Sequence, residues 1–382
     1  MKMTLLPCQR DKFDIPADVS YLNCGYMSPL PNSVAEAGIV GVKRKSAPWV
    51  ITAPDFFRTS ERVRSLFAQL IGASSDDVAI TPSASYGIAL AASAVQVAPG
   101  QEILILAEQF PSNFYSWQEK ARQCGGSVVT VPVPHDLDWT SALLDKISSR
   151  TAVVAVPNCH WTNGGLVDLV AVGSRCREVD AALVVDGTQS LGAHPFDLEK
   201  IGPDFLITAT YKWLLGPYSL GFVYVAPRHR SAQPLELNWL AREGSEDFAG
   251  LTEYTDSFQP GARKFDVGER ANFALIPMAE AALEQILEWG VDSISESLSV
   301  LTGRAAELAE ASGFPPVPAH LRVGHMLGFD IPSSAPHDLV AQLADRNIYV
   351  SRRGRSLRVS PHLYNTPEDI DRLMSELGKL VA

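Results

Sequence analysis

Seven short apolar segments dominate the first 230 residues, and each is a continuous apolar run. They cover residues 77–82, 102–108, 127–133, 151–158, 182–187, 204–210 and 221–227. Stretches with helical periodicity lie between them, for example residues 56–72 and 116–126. Strands that are apolar on both faces are typical of a mostly parallel sheet covered by helices on both sides. The sequence therefore predicts an α/β fold with a mostly parallel seven-stranded sheet.

The last of these segments is predicted to run against the others. Residues 221–227 follow Lys212 after only eight residues. A connection between parallel strands needs about a dozen residues or more. We therefore expect this strand to return antiparallel.

The pattern changes after about residue 265, where long helical segments precede short strands and a terminal helix. We expect three parts. Residues 1–30 form an N-terminal segment that packs across the domains, residues 31–264 form the large domain, and residues 265–382 form a smaller α+β domain.

The net charge, the apolar stretches and the cysteine spacing disfavour several classes of function. A formal net charge of -11 disfavours a nucleic-acid binder or a protein that binds acidic membranes. No apolar stretch is long enough to span a membrane, and the first residues are too short an apolar run for a signal peptide. The five cysteines show no CxxC spacing, which predicts reduced thiols and no metal site. We expect a cytoplasmic protein.

Polar and aromatic residues follow five of the predicted strands. They are Ser83 and Ser85, then Phe110, Ser112 and Asn113, then His160 and Asn163, then Asp186 and Gln189, and finally Tyr211 and Lys212. Ligands of open α/β sheets bind at the carboxyl ends of the strands. We expect these side chains to face one crevice.

Each candidate also has an ordinary structural explanation when it is taken alone. Ser83 and Ser85 could bind a phosphate at a helix N-terminus or simply cap the helix. Asp186 could face a protonated ring nitrogen or cap a turn. Lys212 could form an imine or extend its amine to solvent, and Phe110 could stack on a ring or pack in the core.

Together, these groups are the set that pyridoxal 5′-phosphate (PLP) requires: a phosphate site, an aromatic plate, a carboxylate and a lysine. Neither GxGxxG nor GxxxxGK[ST] occurs at the expected place. A nicotinamide-dependent oxidoreductase and a P-loop protein are therefore disfavoured.

Residues 184–227, "VVDGTQSLGAHPFDLEKIGPDFLITATYKWLLGPYSLGFVYVAP", resemble the cofactor segment of the class V aminotransferase family. This family of fold-type I PLP enzymes includes aminotransferases, kynureninases, cysteine desulfurases and isopenicillin N epimerase-like proteins. The likeness extends from "YLNCGYMSPLP" near the start to "SLRVSPHLYNTPEDI" near the end.

The resemblance implies roles for the candidates. Lys212 would carry the cofactor, Asp186 would pair with its pyridine nitrogen, and Gln189 would bind its O3′ side. Phe110, in a stretch similar to the kynureninase "FPSD", would stack on the ring. The implied phosphate ligands are Ser83, Ala84, Ser85 and Tyr211. Asn163 would lie near a cofactor oxygen, and Arg358 would bind a substrate α-carboxylate.

The sequence departs from the family at three places. Asn113 stands where kynureninases have Asp. A stretch that often supplies a phosphate contact from the partner subunit reads "GERANF" here, so that Arg270 or Asn272 would substitute. The loop before Arg358 contains no cysteine, which we interpret as evidence against a cysteine desulfurase.

The resemblance also implies a homodimer with active sites at the subunit interface and an amino acid substrate. We expect an aminotransferase first, with a kynureninase-like lyase or an epimerase as alternatives. A non-catalytic binding module is a further alternative, which intact Lys212 and Asp186 disfavour. Substrate selectivity is expected to depend on residues such as Tyr26, Trp161, Trp239 and Arg353.

Overall fold

The computed structural model describes residues 5–381. The strands are β1 (Ser20–Tyr21), β2 (Val78–Thr81), β3 (Glu102–Leu106), β4 (Ser127–Val131), β5 (Thr151–Pro157), β6 (Ala182–Asp186), β7 (Phe205–Ala209), β8 (Gly221–Val225), β9 (Leu327–Asp330), β10 (Ile348–Tyr349), β11 (Ser351–Arg353) and β12 (Ser356–Val359). The helices are α1 (Asn32–Lys45), α2 (Arg58–Ile71), α3 (Ala84–Ala94), α4 (Ser112–Cys124), α5 (Trp139–Leu144), α6 (Leu169–Glu178), α7 (Leu198–Ile201), α8 (Leu275–Trp289), α9 (Val291–Ala311), α10 (Leu339–Ala344) and α11 (Pro367–Val381).

The central sheet has seven strands in the order β2-β8-β7-β6-β5-β3-β4. Strand β8 is antiparallel to both of its neighbours, and the remaining pairs are parallel. The predicted α/β fold with a mostly parallel seven-stranded sheet is confirmed. The short connection from β7 to β8 produces the antiparallel strand, as its length requires.

The sheet is buried on both faces, which explains the continuous apolar runs. Along β7, Leu206 packs into the core on one face, while Phe205 and Ile207 pack into the core on the other. Helices cover both cores and end where the chain must turn. Gly72 ends α2 in the left-handed conformation at φ 72°, which a residue with a side chain seldom adopts.

A smaller C-terminal domain contains α9 to α11 and an antiparallel sheet in the order β11-β12-β9. Helix α8 packs instead against α1 and α2, and its Ile276, Ala279 and Leu283 lie in a core of the large domain. The core of the small domain includes Leu327, Leu357, Ile370 and Leu377, all fully buried. Because β11 and β12 form a hairpin, every second residue of this segment faces the same side.

The N-terminal segment contacts both parts of the chain. Its strand β1 pairs in parallel with β10 of the small domain. A little further on, the Cys24 N–H donates to the Ser360 carbonyl oxygen at 2.9 Å, and the Ser28 N–H donates to the Tyr211 carbonyl oxygen at 3.0 Å. Residues 24–28 therefore lie between the central sheet and the C-terminal hairpin.

The part of the chain that the structure describes contains no helix with the length and apolarity needed to cross a membrane. All five cysteines have free thiols. Within residues 5–381, no group of three or more His, Cys, Asp or Glu side chains is placed to hold a metal ion.

Candidate active site

Two adjoining cavities lie at the carboxyl ends of the central strands. The inner cavity, of about 270 Å³, is lined by Pro82, Ser83, Ala84, Ser85, Gln109, Phe110, Ser112, Pro157, Cys159, Trp161, Asp186, Thr188, Gln189, Ala209, Tyr211, Lys212, Tyr218, Ser219 and Leu220. The outer cavity, of about 410 Å³, is lined by Gly25, Tyr26, Met27, Phe110, Trp161, Gln189, Tyr211, Lys212, Tyr218, Arg353 and Arg358. Lys212 borders both cavities.

Lys212 is delivered by the buried strand β7 and is only 6% exposed. Burial, together with the nearby positive charge of Arg358, lowers the pKa of its amine to about 8. The Nζ atom lies 5.6 Å from the ring centre of Phe110 and 5.5 Å from that of Tyr211. An amine with a pKa of about 8 is a usable nucleophile and base, because about a tenth of it is unprotonated at pH 7 and about half at pH 8.

The loop that follows Lys212 is held in a strained conformation. Leu215 is fully buried at φ 54°, a left-handed conformation that is rare for a branched side chain. The Thr210 hydroxyl donates to the Pro217 carbonyl oxygen at 2.6 Å, and the Gly216 N–H donates to the Thr210 carbonyl oxygen at 2.9 Å. These bonds fix the loop, so that the surrounding structure offsets the strain.

Asp186 ends β6, and one of its carboxylate oxygens accepts the Thr188 N–H at 3.0 Å. The side chain has 9% exposure and lines the inner cavity. A buried carboxylate is costly unless it meets donors or positive charge. Asp186 therefore offers the inner cavity a site for a protonated ring nitrogen.

The Gln189 amide has a defined orientation. Its Oε1 accepts from Trp213 Nε1 at 3.0 Å, and its Nε2 donates to the Gly25 carbonyl oxygen at 3.0 Å. Because an indole N–H can only donate, the amide oxygen must face Trp213. One Nε2 hydrogen remains for a ligand in either cavity.

The N-terminus of α3 forms one end of the inner cavity. Ser83 caps the helix, and its hydroxyl accepts the Tyr86 N–H at 3.1 Å. The Ser85 hydroxyl donates to that of Ser112 at 2.8 Å. The Thr188 hydroxyl, beside Asp186 in the same cavity, is buried and has no hydrogen-bond partner among the described residues. Hydroxyls and free N–H groups at a helix N-terminus suit a phosphate.

Phe110 and Trp161 form an aromatic corner between the two cavities. Their rings meet edge to face with centres 5.5 Å apart. Trp161 Nε1 donates to the Glu108 carbonyl oxygen at 2.7 Å, which fixes the indole. Phe110 remains 38% exposed, as expected for a ring that borders a cavity.

Arg358 is the most buried cation of the outer cavity, at 1% exposure. Its Nη1 donates to the Trp161 carbonyl oxygen at 2.8 Å, while Nε and Nη2 have no partner among the described residues. Burial, with the charge of Arg353, lowers the pKa of the guanidinium to about 9. A buried guanidinium with free donors is suited to bind an anion.

Four predicted residues lie elsewhere in the chain. The Asn163 amide oxygen accepts the Gly165 N–H, so this side chain closes a turn outside the cavities. Asn272 accepts the Ala274 and Leu275 N–H groups in the turn that precedes α8. Arg270 is buried against Asp266 at 2.8 Å. Trp239 packs among Phe56, Phe57 and Phe248. Within one chain, none of the four lines either cavity.

His160 and Asn113 also have structural contacts. The His160 ring stacks on Trp139 and bonds to Thr162 and the Ala107 carbonyl oxygen. The Asn113 amide oxygen accepts from Trp117 Nε1 at 2.9 Å. Both side chains organise the core beside the site.

The sequence-based prediction missed several lining residues. Thr188 lies in the same turn as Asp186 and could have been found from that position. Cys159 lines the inner cavity, and burial raises the pKa of its thiol to about 12. Gly25 and Met27 line the outer cavity only because the N-terminal segment folds back, and no local pattern signals this.

The sequence pattern described as "Aminotransferase class-V" matches residues 52–373. The chain belongs to the class-V aminotransferase family. It is an enzyme of this PLP-dependent class, and pyridoxal 5′-phosphate is its cofactor. The predicted family, enzyme class and cofactor are confirmed. The donor set of the inner cavity fits this cofactor, because the buried Asp186, the unpartnered Thr188 hydroxyl and the N-terminus of α3 complement a pyridine nitrogen and a phosphate.

Curated relatives have several activities. The "uncharacterized aminotransferase YcbU" of Bacillus subtilis is 29% identical over 325 residues, 84% of this chain and 83% of its own length. A probable cysteine desulfurase of Halalkalibacterium halodurans is 28% identical over 78% of this chain and 73% of its own. A kynureninase of Deinococcus radiodurans is 29% identical over 79% of this chain and 74% of its own.

Solved structures have the same fold. A cysteine desulfurase from Thermococcus onnurineus NA1 superposes with a TM-score of 0.86 at 21% identity and covers 99% of both chains. C-DES carrying glycine covalently linked to its PLP cofactor also has a TM-score of 0.86, at 19% identity, over 97% of this chain and 99% of that chain. Because cysteine desulfurases occur among the curated relatives, the expected exclusion of that activity is not supported.

Proposed function

We propose that this enzyme is an aminotransferase that acts on an amino acid. The proposal is based on the convergence of three groups on adjoining cavities: the partly desolvated amine of Lys212, the buried carboxylate of Asp186 and the buried guanidinium of Arg358. The similarity to an uncharacterized aminotransferase of Bacillus subtilis supports transamination as the reaction.

When it is bound, pyridoxal 5′-phosphate withdraws electrons from the bonds at the substrate Cα. Asp186 would hold a proton on the pyridine nitrogen, because a carboxylate stabilises a nearby positive charge in a buried site. Gln189 would donate its remaining N–H to the O3′ side of the cofactor, and Phe110 would provide an aromatic face for its ring. The proposed phosphate ligands are Ser83, Ala84, Ser85 and Tyr211.

On the substrate side, Arg358 binds the α-carboxylate and thereby fixes the orientation of the Cα–H bond. Lys212 is the covalent attachment point of the cofactor. The Lys212 amine would also be the base that moves the proton at Cα, for which a pKa of about 8 is well matched to neutral pH. Trp161 closes the aromatic side of the outer cavity against water.

The second candidate reaction is C–C or C–X bond cleavage of the kynureninase kind. The kynureninase of Deinococcus radiodurans, 29% identical to this chain, favours it, as does the resemblance of the stretch around Phe110. Cleavage uses the same Lys212 and Arg358 roles and differs only in which bond at the substrate breaks.

We also propose a homodimer in the cytoplasm. Several large apolar side chains are exposed, among them Trp49 at 79%, Leu237 at 71% and Tyr254 at 98%. These side chains provide apolar surface that a second copy of the chain would cover in a dimer. The absence of disulfides among the five thiols suits a reducing compartment.

A single-turnover experiment tests the reaction type. The enzyme loaded with PLP is mixed with an amino acid and no keto-acid acceptor. A transaminase releases one equivalent of keto acid per active site and then stops, because the amino nitrogen stays on the cofactor. A lyase continues to turn over without an acceptor and releases the cleaved fragment, such as alanine or sulfide.

The control is Lys212→Ala, which should release no keto acid. Continued turnover without an acceptor would refute transamination. Unchanged turnover by Lys212→Ala would refute the whole assignment of the site.

A further inference from the structure

The outer cavity has more positive charge than one α-carboxylate requires. Its lining contains Lys212, Arg353 and Arg358 and no aspartate or glutamate. This is unusual in a chain whose formal net charge is -11. Lys212 is committed to the cofactor and Arg358 is the proposed ligand of the α-carboxylate, so Arg353 remains without a partner in the proposed function.

The β11–β12 hairpin places both arginines on one face. Arg353 pairs with Ser356 and Ser351 pairs with Arg358 across the two strands. Directly paired residues point to the same side of a sheet, as do residues two apart on one strand. Arg353 and Arg358 are therefore diagonal neighbours that both face the outer cavity.

The surroundings of Arg353 leave its guanidinium available. It lies 5.6 Å from the ring centre of Trp161, and its Nη1 donates to the Arg352 carbonyl oxygen at 2.9 Å. Arg353 forms no ion pair with any residue between 5 and 381. Burial lowers the pKa of its guanidinium, as expected for a cation that lacks a compensating anion.

The two flanking arginines behave differently. Arg352 alternates to the other face of the hairpin, where its Nε donates to the Gly354 carbonyl oxygen. Arg355 lies in the turn, 82% exposed, and pairs with Asp330 at 3.2 Å. Neither lines the outer cavity, so both serve as matched controls for Arg353.

We propose that Arg353 binds a second anionic group, so that the preferred substrate is an amino acid with an acidic side chain. This inference rests on the proposed function, in which Arg358 binds the α-carboxylate. The aromatic face of Trp161 holds the Arg353 guanidinium at the cavity wall, where it meets the far end of a substrate anchored at Arg358.

Binding of unreactive acids tests the second anion site without catalysis. The enzyme loaded with PLP is titrated separately with each of four acids, and the change in tryptophan fluorescence gives each Kd. Succinate is compared with butyrate, and glutarate with pentanoate. Each pair shares a carbon chain and differs in one carboxylate. We expect at least one diacid to bind about tenfold or more tighter than its monoacid, the size of one charge-assisted hydrogen-bonded contact.

Variants attribute that preference to Arg353. Arg353→Gln should reduce the diacid preference to about twofold or less, and Arg353→Lys should keep part of it, because lysine is a point charge without the planar fork. Arg352→Gln should leave it unchanged. Equal binding of diacids and monoacids by the unaltered enzyme would overturn the inference. So would a preference that survives in Arg353→Gln, or an equal loss for both acids in that variant.

Turnover separates this inference from the proposed function. We expect kcat/KM to be higher for L-aspartate than for L-asparagine, and higher for L-glutamate than for L-glutamine. Arg353→Gln should abolish both differences. If no amino acid is converted while the diacid preference stands, the proposed function fails and the anion site remains. If the neutral amino acids react as well as the acidic ones, the inference fails and the proposed function remains.

Discussion

The chain buries arginine in two places, with opposite charge balance. In the first, Arg64 and Arg270 share Asp266, at 2.7 Å and 2.8 Å, and all three side chains have 0% exposure. Glu61 adds a further carboxylate at 3.1 Å from Arg64. In the second, at the outer cavity, Lys212, Arg353 and Arg358 converge without a carboxylate in the cavity lining.

This difference distinguishes buried charges that stabilise the fold from buried charges that are available to bind a ligand. Asp266 also accepts the Ile80 N–H at 2.7 Å, so the paired cluster holds the edge strand β2 that leads to Ser83. The unpaired cluster makes hydrogen bonds to backbone carbonyl oxygens but has no carboxylate to offset its charge, so its cations repel one another until an anion binds. Buried cations without partners are therefore the stronger indication of a ligand site.

The largest expected effect is the loss of Lys212. Lys212→Ala should lower kcat/KM by about 10⁴-fold, because the proton transfer at Cα loses its base. The same change removes one repulsive charge from the unpaired cluster, so the apoprotein should unfold at the same or a higher denaturant concentration. Kinetics and a urea titration of the two proteins measure both effects. A marked loss of stability would show that Lys212 supports the fold.

Next in size is the cost of breaking the paired cluster. Arg64→Met keeps most of the side-chain length but leaves part of the charge on Asp266 uncompensated. It should lower the free energy of unfolding by about 3–5 kcal/mol. Urea denaturation monitored by circular dichroism provides the measurement. A change below about 1 kcal/mol would mean that the pairing contributes little.

The same substitution in the unpaired cluster should give the reverse result. Arg358→Met should change the free energy of unfolding of the apoprotein by less than about 1 kcal/mol, since the removed charge had no carboxylate partner. It should lower kcat/KM for an amino acid by about 100-fold, through lost contacts to the α-carboxylate. The comparison fails if Arg358→Met destabilises the protein as strongly as Arg64→Met.

The smallest effect is a pH dependence. Burial lowers the pKa of Lys212 to about 8, so its amine loses its proton well below the usual lysine range. The rate at which the apoprotein takes up PLP should rise about tenfold between roughly pH 7 and pH 9 and then level off. Stopped-flow absorbance follows this reaction. In Arg358→Met the midpoint should move to higher pH, because a repulsive neighbour is gone.

The lowered pKa of Lys212 also predicts the direction in which the stability of the apoprotein changes with pH. The unfolded chain keeps the Lys212 proton up to a pKa of about 10.4, whereas the folded chain releases it near 8. Between these values the unfolded state binds more protons, so the contribution of Lys212 to the stability of the apoprotein rises with pH. Below pH 8 the charged amine weakens the folded state.

Much of the site could be predicted from the sequence because it lies at strand ends. The apolar run at 204–210 predicts a strand that the structure has at Phe205–Ala209, with Lys212 just beyond it. Asn163 and Asn272 accept backbone N–H groups of their own turns within one chain, so their contacts with the cofactor stay predictions. The sequence-based prediction missed α1, whose Gly41 packs so closely against Phe273 that a Cβ atom would lie 2.1 Å from the Phe273 carbonyl oxygen.

The sequence by itself determined the seven strands of the central sheet in chain order, the antiparallel return of β8, and which residues emerge at the carboxyl edge. These follow from local periodicity and connection length, which act over a few residues. Only the tertiary structure decided that residues 24–28 and the β11–β12 hairpin close over Lys212. Contacts between segments more than 300 residues apart arise from packing of whole elements, and no local pattern encodes them. The charge balance of the outer cavity is a property of that packing.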